Sequence, residues 1–425
     1  ELFYRSSLII LLNNTASILY KTILGYNQGI PKNTTANLLF NKNYLFLFQV
    51  KKELMQEGCS SFSDALPTLT LNRFSDKTTI FQQVYTQLQC KEFGRNKEQF
   101  FQVNFAEEDG IDEGGLFRDA ISQLVADLQS SLFILSPNSQ NQPGSHSIYI
   151  PHPLRNSPED LRQYEFVGRL IGVSLICCSV LSGASWGSIV WKSLLNYPLE
   201  LDDFREIDLY TFENIETLAN ITESEMDSET FSDVISLNFT VQSLDGRVIE
   251  LIPNGTNIPV DWSNRFKYAK LVENYRRNEL SLQLNAISSG FKSEISAHWF
   301  LPNEIQLLVE GSQIIDLNLL KFHTAYSNCK ADNPTVQFLW NVLEEFDQHQ
   351  LKAFLKFTSG STTLPTTWSH RRFTVFVSRA SEQHFPTSHT CSWRLDIPPY
   401  SSQELLKEKL LFAISNENAN YFGFT

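Results

Sequence analysis

The sequence predicts an α+β protein of two or three domains. Segments such as 159–180 carry apolar residues at helical spacing, whereas short apolar segments such as 100–105 are typical of strands. A chain of 425 residues, 42% of them apolar, is long enough to bury more than one core. Residues 326–334 have the composition of a linker, which divides a large first part of the chain from a smaller second part.

Charge and cysteine usage exclude several classes of function. The net charge is −13 without a basic cluster, which argues against nucleic acid or an anionic membrane as a partner. The uncharged segment 170–191 is broken near Ser182 and Gly183, so we expect a buried helix and a turn rather than membrane insertion. Six cysteines without a Cys-x-x-Cys pair indicate a reducing compartment, the cytoplasm or the nucleus, and no metal or cofactor is expected.

Residues 1–66 are predicted to form an N-terminal helical extension packed on the main domain. Apolar positions within 38–57 follow a nearly helical period. The chain begins without a methionine, so we expect it to be a piece of a longer protein.

The residues that could carry chemistry lie near the C-terminus. Cys391 follows His389 by two residues in a polar segment flanked by Pro386 and Pro398. In an extended backbone these two side chains share a face, where an imidazole would favour the reactive thiolate. The prolines favour an exposed loop between strands. Taken alone, an inert cysteine with a chance histidine neighbour is the commoner explanation of such a pair.

The sequence around and after this segment forms a longer pattern. Ser401-Ser402-Gln403-Glu404 is a capping box that opens a helix. The whole resembles the C-terminal lobe of HECT-type ubiquitin ligases, which carry Leu-Pro-x-Ala-His-Thr-Cys-Phe-Asn-x-Leu-x-Leu-Pro-x-Tyr, a capped helix and a phenylalanine four places from the end. The matching positions here are 385–391, 395–400 and Phe422.

Four earlier segments resemble the same family in the same order. The first is an acidic, glycine-punctuated turn before a helix and resembles the signature Phe-x-Gly-Glu-x-Gly-x-Asp-x-Gly-Gly-x-x-Arg. By itself, this turn is most simply structural, because acids are favoured at a helix N-terminus. The others resemble Phe-x-Gly-Arg-x-x-Gly, Pro-x-Gly and Phe-x-Thr-Gly-x-x-Arg-x-Pro. The four segments are 105–118, 166–172, 253–255 and 357–365.

The resemblance covers roughly 67–425 and implies a bilobal, HECT-like α+β fold. A large, mainly helical N-lobe would span 67–328 and a smaller α/β C-lobe 335–425, joined by a hinge at 329–334. The hinge residues would be Asn328, Cys329 and Lys330, since asparagine tolerates left-handed backbone where the family has Gly-Tyr. An acidic segment at about 198–260 would be the small subdomain that docks a ubiquitin-conjugating enzyme.

The resemblance also implies an activity and its residues. Cys391 would accept ubiquitin from the conjugating enzyme as a thioester and pass it to a lysine of a protein substrate that the sequence does not identify. His389 and Thr390 would orient the thiol, and Phe422 would anchor the tail. Asp396 would orient or deprotonate the lysine, unless it is a structural acid. The predicted docking residues are Leu209, Tyr210, Phe212 and Leu218.

Departures from the family pattern keep two alternatives open. Ser392-Trp393 replaces the family's Phe-Asn, and Thr363 replaces its loop arginine, so we expect altered contacts to ubiquitin or between the lobes. A catalytically weak or inactive scaffold of the same fold is one alternative, although the intact His-Thr-Cys argues against it. A cysteine hydrolase is the other, and it would need Cys391 to pair with a distant histidine such as His298 or His323.

Overall fold

A computed structural model of the chain describes residues 66–415, except 97–98, 109–111, 113, 142–146, 299, 313 and 366–371. The predicted N-terminal extension, apart from Leu66, and the tail residue Phe422 therefore lie outside the described residues.

Helices dominate the described part of the chain. The α-helices are α1 (Ile80–Leu88), α2 (Gly115–Ser131), α3 (Pro137–Asn141), α4 (Pro158–Cys177), α5 (Ser188–Leu194), α6 (Leu201–Asn220), α7 (Ser228–Val234), α8 (Arg265–Asn278), α9 (Ser281–Glu294), α10 (Pro302–Glu310), α11 (Leu317–Phe322), α12 (Pro334–Glu345), α13 (Gln348–Ser359) and α14 (Gln403–Ser415). The strands are β1 (Thr68–Leu71), β2 (Gln102–Phe105), β3 (Phe133–Leu135), β4 (Tyr149–Pro151), β5 (Thr240–Gln242), β6 (Val248–Glu250), β7 (Ala325–Ser327), β8 (Thr374–Val377), β9 (Thr387–His389) and β10 (Arg394–Ile397). Among these helices, none has the length and apolar character needed to cross a bilayer.

Several helices begin where a side chain accepts free N–H groups of the first turn. Ser157 and Asp160 form a capping box at the start of α4. At α14 the capping hydroxyl belongs to Ser402, which accepts the N–H of Leu405 at 3.2 Å. The cap therefore lies one residue later than the predicted Ser401, and Leu405, at the position of the second box residue, has no polar side chain to complete a capping box.

The first core lies among the long helices of the large lobe, and two of these cross at glycines. A Cβ on Gly168 of α4 would lie 1.9 Å from the carbonyl oxygen of Ile287 in α9. A Cβ on Gly290 of α9 would lie 1.8 Å from the carbonyl oxygen of Glu165. Any larger residue would push the two helices apart, so close packing explains the glycine in the 166–172 pattern.

The acidic turn before α2 is a helix cap. Asp112 Oδ1 accepts the N–H of Gly114 at 2.8 Å and that of Phe117 at 3.3 Å. Its Oδ2 accepts the N–H of Val103 in β2 at 2.9 Å. The carboxylate satisfies donors that an isolated helix start leaves unpaired, and it fixes α2 to the strand. The structural role predicted for this turn is confirmed.

A small separate core supports the acidic subdomain. It packs the β5–β6 hairpin and α7 against the C-terminal part of α6 and against α8. Tyr268 and Val272 of α8 belong to this core, so the unit extends beyond the predicted limit near 260. Arg276 of α8 binds Asp208 at 2.6 Å, where α6 is kinked. This buried ion pair joins the subdomain to the large core.

The second core is built on a four-stranded sheet of order β7-β8-β10-β9. The strands β7 and β10 pair with β8 in parallel, and β9 runs antiparallel to β10. Helices α12, α13 and α14 contribute the remaining core residues. This lobe carries Cys391 between β9 and β10.

The boundary between the lobes lies earlier than the sequence predicts. Strand β7 is hydrogen-bonded to β8 in the second lobe, and Ile315 and Leu320 are buried in the second core. Val309 still belongs to the first core. The chain therefore crosses between the cores at residues 310–314, and the predicted limit of the N-lobe at 328 is wrong.

The predicted hinge residues lie inside the second lobe. Asn328 has the expected left-handed backbone, with φ 57°, but its Nδ2 donates to the carbonyl oxygen of Val377 at 2.9 Å. Cys329 and Lys330 follow it in the turn between β7 and α12. A tight turn after an edge strand uses the same polar residues as a linker, so the composition alone was misleading.

Candidate active site

Cys391 lies in the turn that joins β9 to β10. The N–H of Trp393 donates to the carbonyl oxygen of Thr390 at 3.3 Å, and Cys391 is partly exposed. Because β9 ends at His389, the extended spacing that would place His389 and Cys391 on one face stops before the cysteine. That expectation from the sequence is wrong, since the backbone turns between the two residues.

Trp393 anchors this turn in the second core. Its side chain is 2% exposed, and its Nε1 donates to Oγ1 of Thr358 at 3.4 Å. Its φ is 49°, a left-handed conformation that bulky residues adopt only when packing compensates for the strain. Trp393, which departs from the family pattern, is therefore buried in the core of the second lobe, where it fixes the backbone next to Cys391.

His389, Arg394 and Asp396 form a cluster beside the turn. Strand pairing puts His389 opposite Arg394, and Asp396 points to the same side two residues later. His389 Nε2 lies 3.5 Å from Asp396 Oδ2, while the Arg394 guanidinium donates to both carboxylate oxygens at 2.5 and 2.8 Å. An acid held bidentately by a cation fits the structural role better than the role of a free base.

The cysteine turn also contacts the large lobe, at the start of α2. A Cβ on Gly115 would lie 2.6 Å from Sγ of Cys391 and 3.2 Å from Oγ1 of Thr390. Arg118, one helical turn later, donates from Nη2 to the carbonyl oxygen of Thr390 at 3.1 Å. Its Nε donates to the carbonyl oxygen of Ser359 at 3.0 Å. Both lobes therefore contribute to the surroundings of the Cys391 sulfur.

A second contact between the lobes involves Ser182. Its Oγ accepts the N–H of Thr362 at 2.9 Å and lies 3.1 Å from that residue's hydroxyl oxygen. Thr363, which stands where the family has arginine, is 4% exposed and faces Gly311. The segment near Ser182 that interrupts the uncharged stretch thus takes part in the lobe interface.

Two of the four predicted docking residues are exposed. Leu209 is 42% exposed and Tyr210 is 70% exposed, whereas Phe212 is 2% and Leu218 is 5% exposed. Phe212 packs in the first core and Leu218 in the small core. Because Phe212 and Leu218 are buried, they cannot contact a conjugating enzyme at the surface, and their predicted docking role is wrong. In an amphipathic helix, apolar type alone does not tell an inward position from an outward one.

The histidines considered for a hydrolase lie away from the β9–β10 turn in the chain. His298 follows α9 in the large lobe, and His323 follows α11 in the second lobe with its ring edge-on to Phe322. Among the described residues, no group of three or more His, Cys, Asp or Glu side chains is placed to hold a metal ion.

The Gly-Gly-x-x-Arg part of the first signature carries no predicted role at the site. The structure brings Gly115 and Arg118 to the cysteine turn. The available signal was the spacing: a glycine at a helix start and an arginine three residues later lie on one face.

Comparisons with known proteins agree with this architecture. The family described as HECT-domain (ubiquitin-transferase) matches residues 118–425. A probable E3 ubiquitin protein ligase of Schizosaccharomyces pombe is 34% identical over 335 residues, which cover 75% of this chain and 31% of the relative. The E3 ubiquitin-protein ligase HERC2 of Mus musculus is 32% identical over 327 residues, covering 74% of this chain and 7% of the relative. The E3 ubiquitin-protein ligase RSP5 of Emericella nidulans is 30% identical over 355 residues, which cover 80% of this chain and 41% of the relative.

The chain thus spans less than half the length of each of these relatives. The family match begins within α2 of the large lobe and includes the cysteine turn and the arginine that contacts it. This chain belongs to the HECT-domain family of ubiquitin transferases.

Proposed function

We propose that this chain is a catalytic domain that accepts ubiquitin from a conjugating enzyme as a thioester on Cys391 and transfers it to a lysine. The observation that supports this most strongly is the position of Cys391. It is partly exposed, in a hydrogen-bonded turn beside the lobe interface, in a chain of the HECT-domain family. A cytoplasmic or nuclear setting remains part of the proposal and rests on the cysteine usage.

The chemistry consists of two acyl transfers. In the first, the Cys391 thiolate attacks the thioester carbonyl, the new C–S bond forms, and the conjugating enzyme's cysteine leaves as a thiolate. In the second, a neutral lysine amine attacks, the C–N bond forms and the Cys391 thiolate leaves. The proton lost from nitrogen passes to a base or to solvent. Neither step needs a metal or an oxidant, so the protein's main contribution is positioning, worth up to about 7–11 kcal/mol in well-oriented systems.

The cluster at Asp396 suits an orienting role. Arg394 fixes the carboxylate, and the carboxylate in turn faces the imidazole of His389. This arrangement holds His389 and the end of β9 in place, and with them the start of the cysteine turn. We assign Thr390 a similar role, because its carbonyl oxygen is bound by both Trp393 and Arg118. Phe422 as a tail anchor stays a prediction from the resemblance.

The exposed pair Leu209 and Tyr210 is the proposed docking face for the conjugating enzyme. It lies at the kink of α6, where Asn138 Oδ1 accepts the N–H of Leu209 at 2.8 Å and holds the local backbone. The surrounding helix carries many acids, which favours a partner with a basic surface. Exposed aromatic and aliphatic side chains commonly anchor such contacts.

The test is incubation with activating enzyme, a panel of conjugating enzymes and ubiquitin, followed by a non-reducing gel. The parent should form an adduct that a thiol reductant removes. Cys391→Ser should give a reductant-resistant oxyester or no adduct, while Cys90→Ser, at an exposed thiol, should behave as the parent. A normal reducible adduct on Cys391→Ser would contradict the assignment of Cys391 as the acceptor. If the parent forms no adduct with any conjugating enzyme of the panel, the result would favour an inactive scaffold.

A further inference from the structure

Arg118 joins two separate segments of the second lobe to the large lobe. Its guanidinium donates to the carbonyl oxygen of Ser359, at the end of α13, and to that of Thr390, next to Cys391. The acceptors are backbone atoms separated by 31 residues, which only the fold of the second lobe brings together. A guanidinium can span two such acceptors because its N–H groups form a rigid, planar fork.

Gly115 provides the surface against which the cysteine turn rests. The position of a Cβ on this residue is 2.6 Å from Sγ of Cys391 and 3.4 Å from the backbone nitrogen of the same residue. A real side chain there would displace the sulfur, so the turn approaches α2 closely only because position 115 is a glycine. Gly115 and Arg118 lie one turn apart on α2 and together form a seat for residues 390–391.

We propose that Arg118 is a positioning residue for the second acyl transfer, which holds Cys391 in this seat while lysine attacks. The inference rests on the proposed function, and it adds a role for the large lobe in delivery. Arg118 acts through the backbone of Thr390 rather than on the reacting atoms. A thioester whose sulfur is fixed between the two lobes presents its carbonyl in one orientation, which favours attack by an incoming amine.

We expect the seat to be used while ubiquitin is transferred to lysine and not while Cys391 is loaded, because the seat and the docking face lie on different parts of the large lobe. The large-lobe residues that contact the second lobe here are Gly115, Arg118 and Ser182. Their chain neighbours Leu116, Phe117 and Leu181 belong to the first core, whereas the proposed docking face at Leu209 and Tyr210 lies on α6, beside the small subdomain. Loading requires Cys391 to reach a thioester held at that face, and in the seat one side of its sulfur is covered by Gly115. Loading should therefore not depend on Arg118.

The first test measures seating without ubiquitin. In the full chain, Gly115→Cys brings a Cβ against Sγ of Cys391, so a small outward shift of that sulfur is enough for mild oxidation to form a disulfide between the two cysteines. Ala126→Cys, at an exposed position on the same helix, is the control and should form none with Cys391. Adding Arg118→Ala to Gly115→Cys should slow this disulfide about tenfold, since two charge-assisted hydrogen bonds are lost. An unchanged rate would overturn the proposal.

The second test separates the two acyl transfers. Arg118→Ala should load ubiquitin within about twofold of the parent, but discharge it to a lysine acceptor about tenfold more slowly in a single turnover. Arg118→Lys keeps the charge but cannot bridge both carbonyl groups, so its discharge should fall between the two. Arg162→Ala, at an exposed arginine of α4, should match the parent in both steps.

The results distinguish this inference from the proposed function. Equal slowing of loading and discharge by Arg118→Ala, or parent-like discharge by Arg118→Lys, would overturn the bridging role while leaving Cys391 as the acceptor. A parent that never forms a thioester would refute the proposed function instead. In that event the disulfide rates would still report whether Arg118 seats the turn, but no transfer step would remain for it to serve. Thermal melting of each variant checks that a slowed rate does not come from unfolding.

Discussion

Gly311 faces Thr363 where the chain crosses between the two lobes. A Cβ on Gly311 would lie 2.7 Å from Oγ1 and 2.9 Å from Cβ of Thr363. The backbone of Gly311, with φ 75° and ψ 177°, lies in a region that only glycine adopts readily. The position that connects the lobes therefore depends on glycine for two independent reasons.

Gly311→Ala should lower the stability of the chain by about 1–3 kcal/mol from backbone strain, with a further loss from the clash with Thr363. Denaturant unfolding monitored at both lobes measures the loss. Gly246→Ala is the matched control, because Gly246 also has a positive φ of 87° but has no atom closer than 3.7 Å to its added Cβ. If Thr363→Ala does not recover part of the loss in the Gly311→Ala background, the contact contributes nothing.

Trp393→Ala should destabilise the second lobe by about 3–5 kcal/mol, the usual cost of removing a buried large aromatic side chain. Alanine keeps the Cβ that makes left-handed backbone costly, so no relief of strain offsets this cost. Hydrogen exchange at β8 and β10 measures the effect, and exchange at α4 in the large lobe is the internal control. Faster exchange confined to the 390–393 turn would show that Trp393 supports only the turn and not the core.

Tyr210→Ala should weaken the loading of Cys391, whereas Phe212→Ala should lower the stability of the fold. Tyr210 is 70% exposed, so its removal should weaken loading of Cys391 while the melting temperature stays close to that of the parent. Phe212 is 2% exposed, so its removal should cost about 3–5 kcal/mol of stability. Loading assays at several concentrations of conjugating enzyme, paired with thermal melts, separate the two. Unchanged loading by Tyr210→Ala with every conjugating enzyme would argue against this docking face.

The buried acid Glu310 makes stability depend on pH. Burial raises the pKa of Glu310 from 4.5 to about 8, and the nearby Glu206 carboxylate adds to the rise, against opposing hydrogen bonds from the Trp186 N–H and the Gln306 amide. The folded state then binds a proton that the unfolded state has lost in this pH window. The free energy of unfolding should therefore fall with rising pH, by up to about 1.4 kcal/mol per pH unit between the two values.

Glu310→Gln should remove this contribution, so the variant should gain stability relative to the parent as the pH rises from 4.5 towards 8. Chemical unfolding across the window measures the difference, and Glu213→Gln, at an exposed acid of α6, is the control. A difference between Glu310→Gln and the parent that does not change with pH would show that Glu310 is ionised in the folded state throughout.

The sequence by itself determined the class of fold and the family, and it singled out Cys391 as the candidate nucleophile. Helical and strand periodicities are local properties, and the ordered motifs around Cys391 are too long to arise by chance. The structural role of the acidic turn could also be predicted, because the distance from Asp112 to the helix start is short in the chain. Each of these inferences depended on residues that are close in sequence.

Only the tertiary structure decided which residues meet from distant parts of the chain. It moved the lobe boundary to residues 310–314, because β7 joins the sheet of the second lobe by hydrogen bonds that composition does not reveal. It buried Phe212 and left Tyr210 exposed, since the direction of a side chain on a kinked helix depends on what packs against it. It also brought Arg118 to Thr390, 272 residues away, by packing one folded lobe against the other.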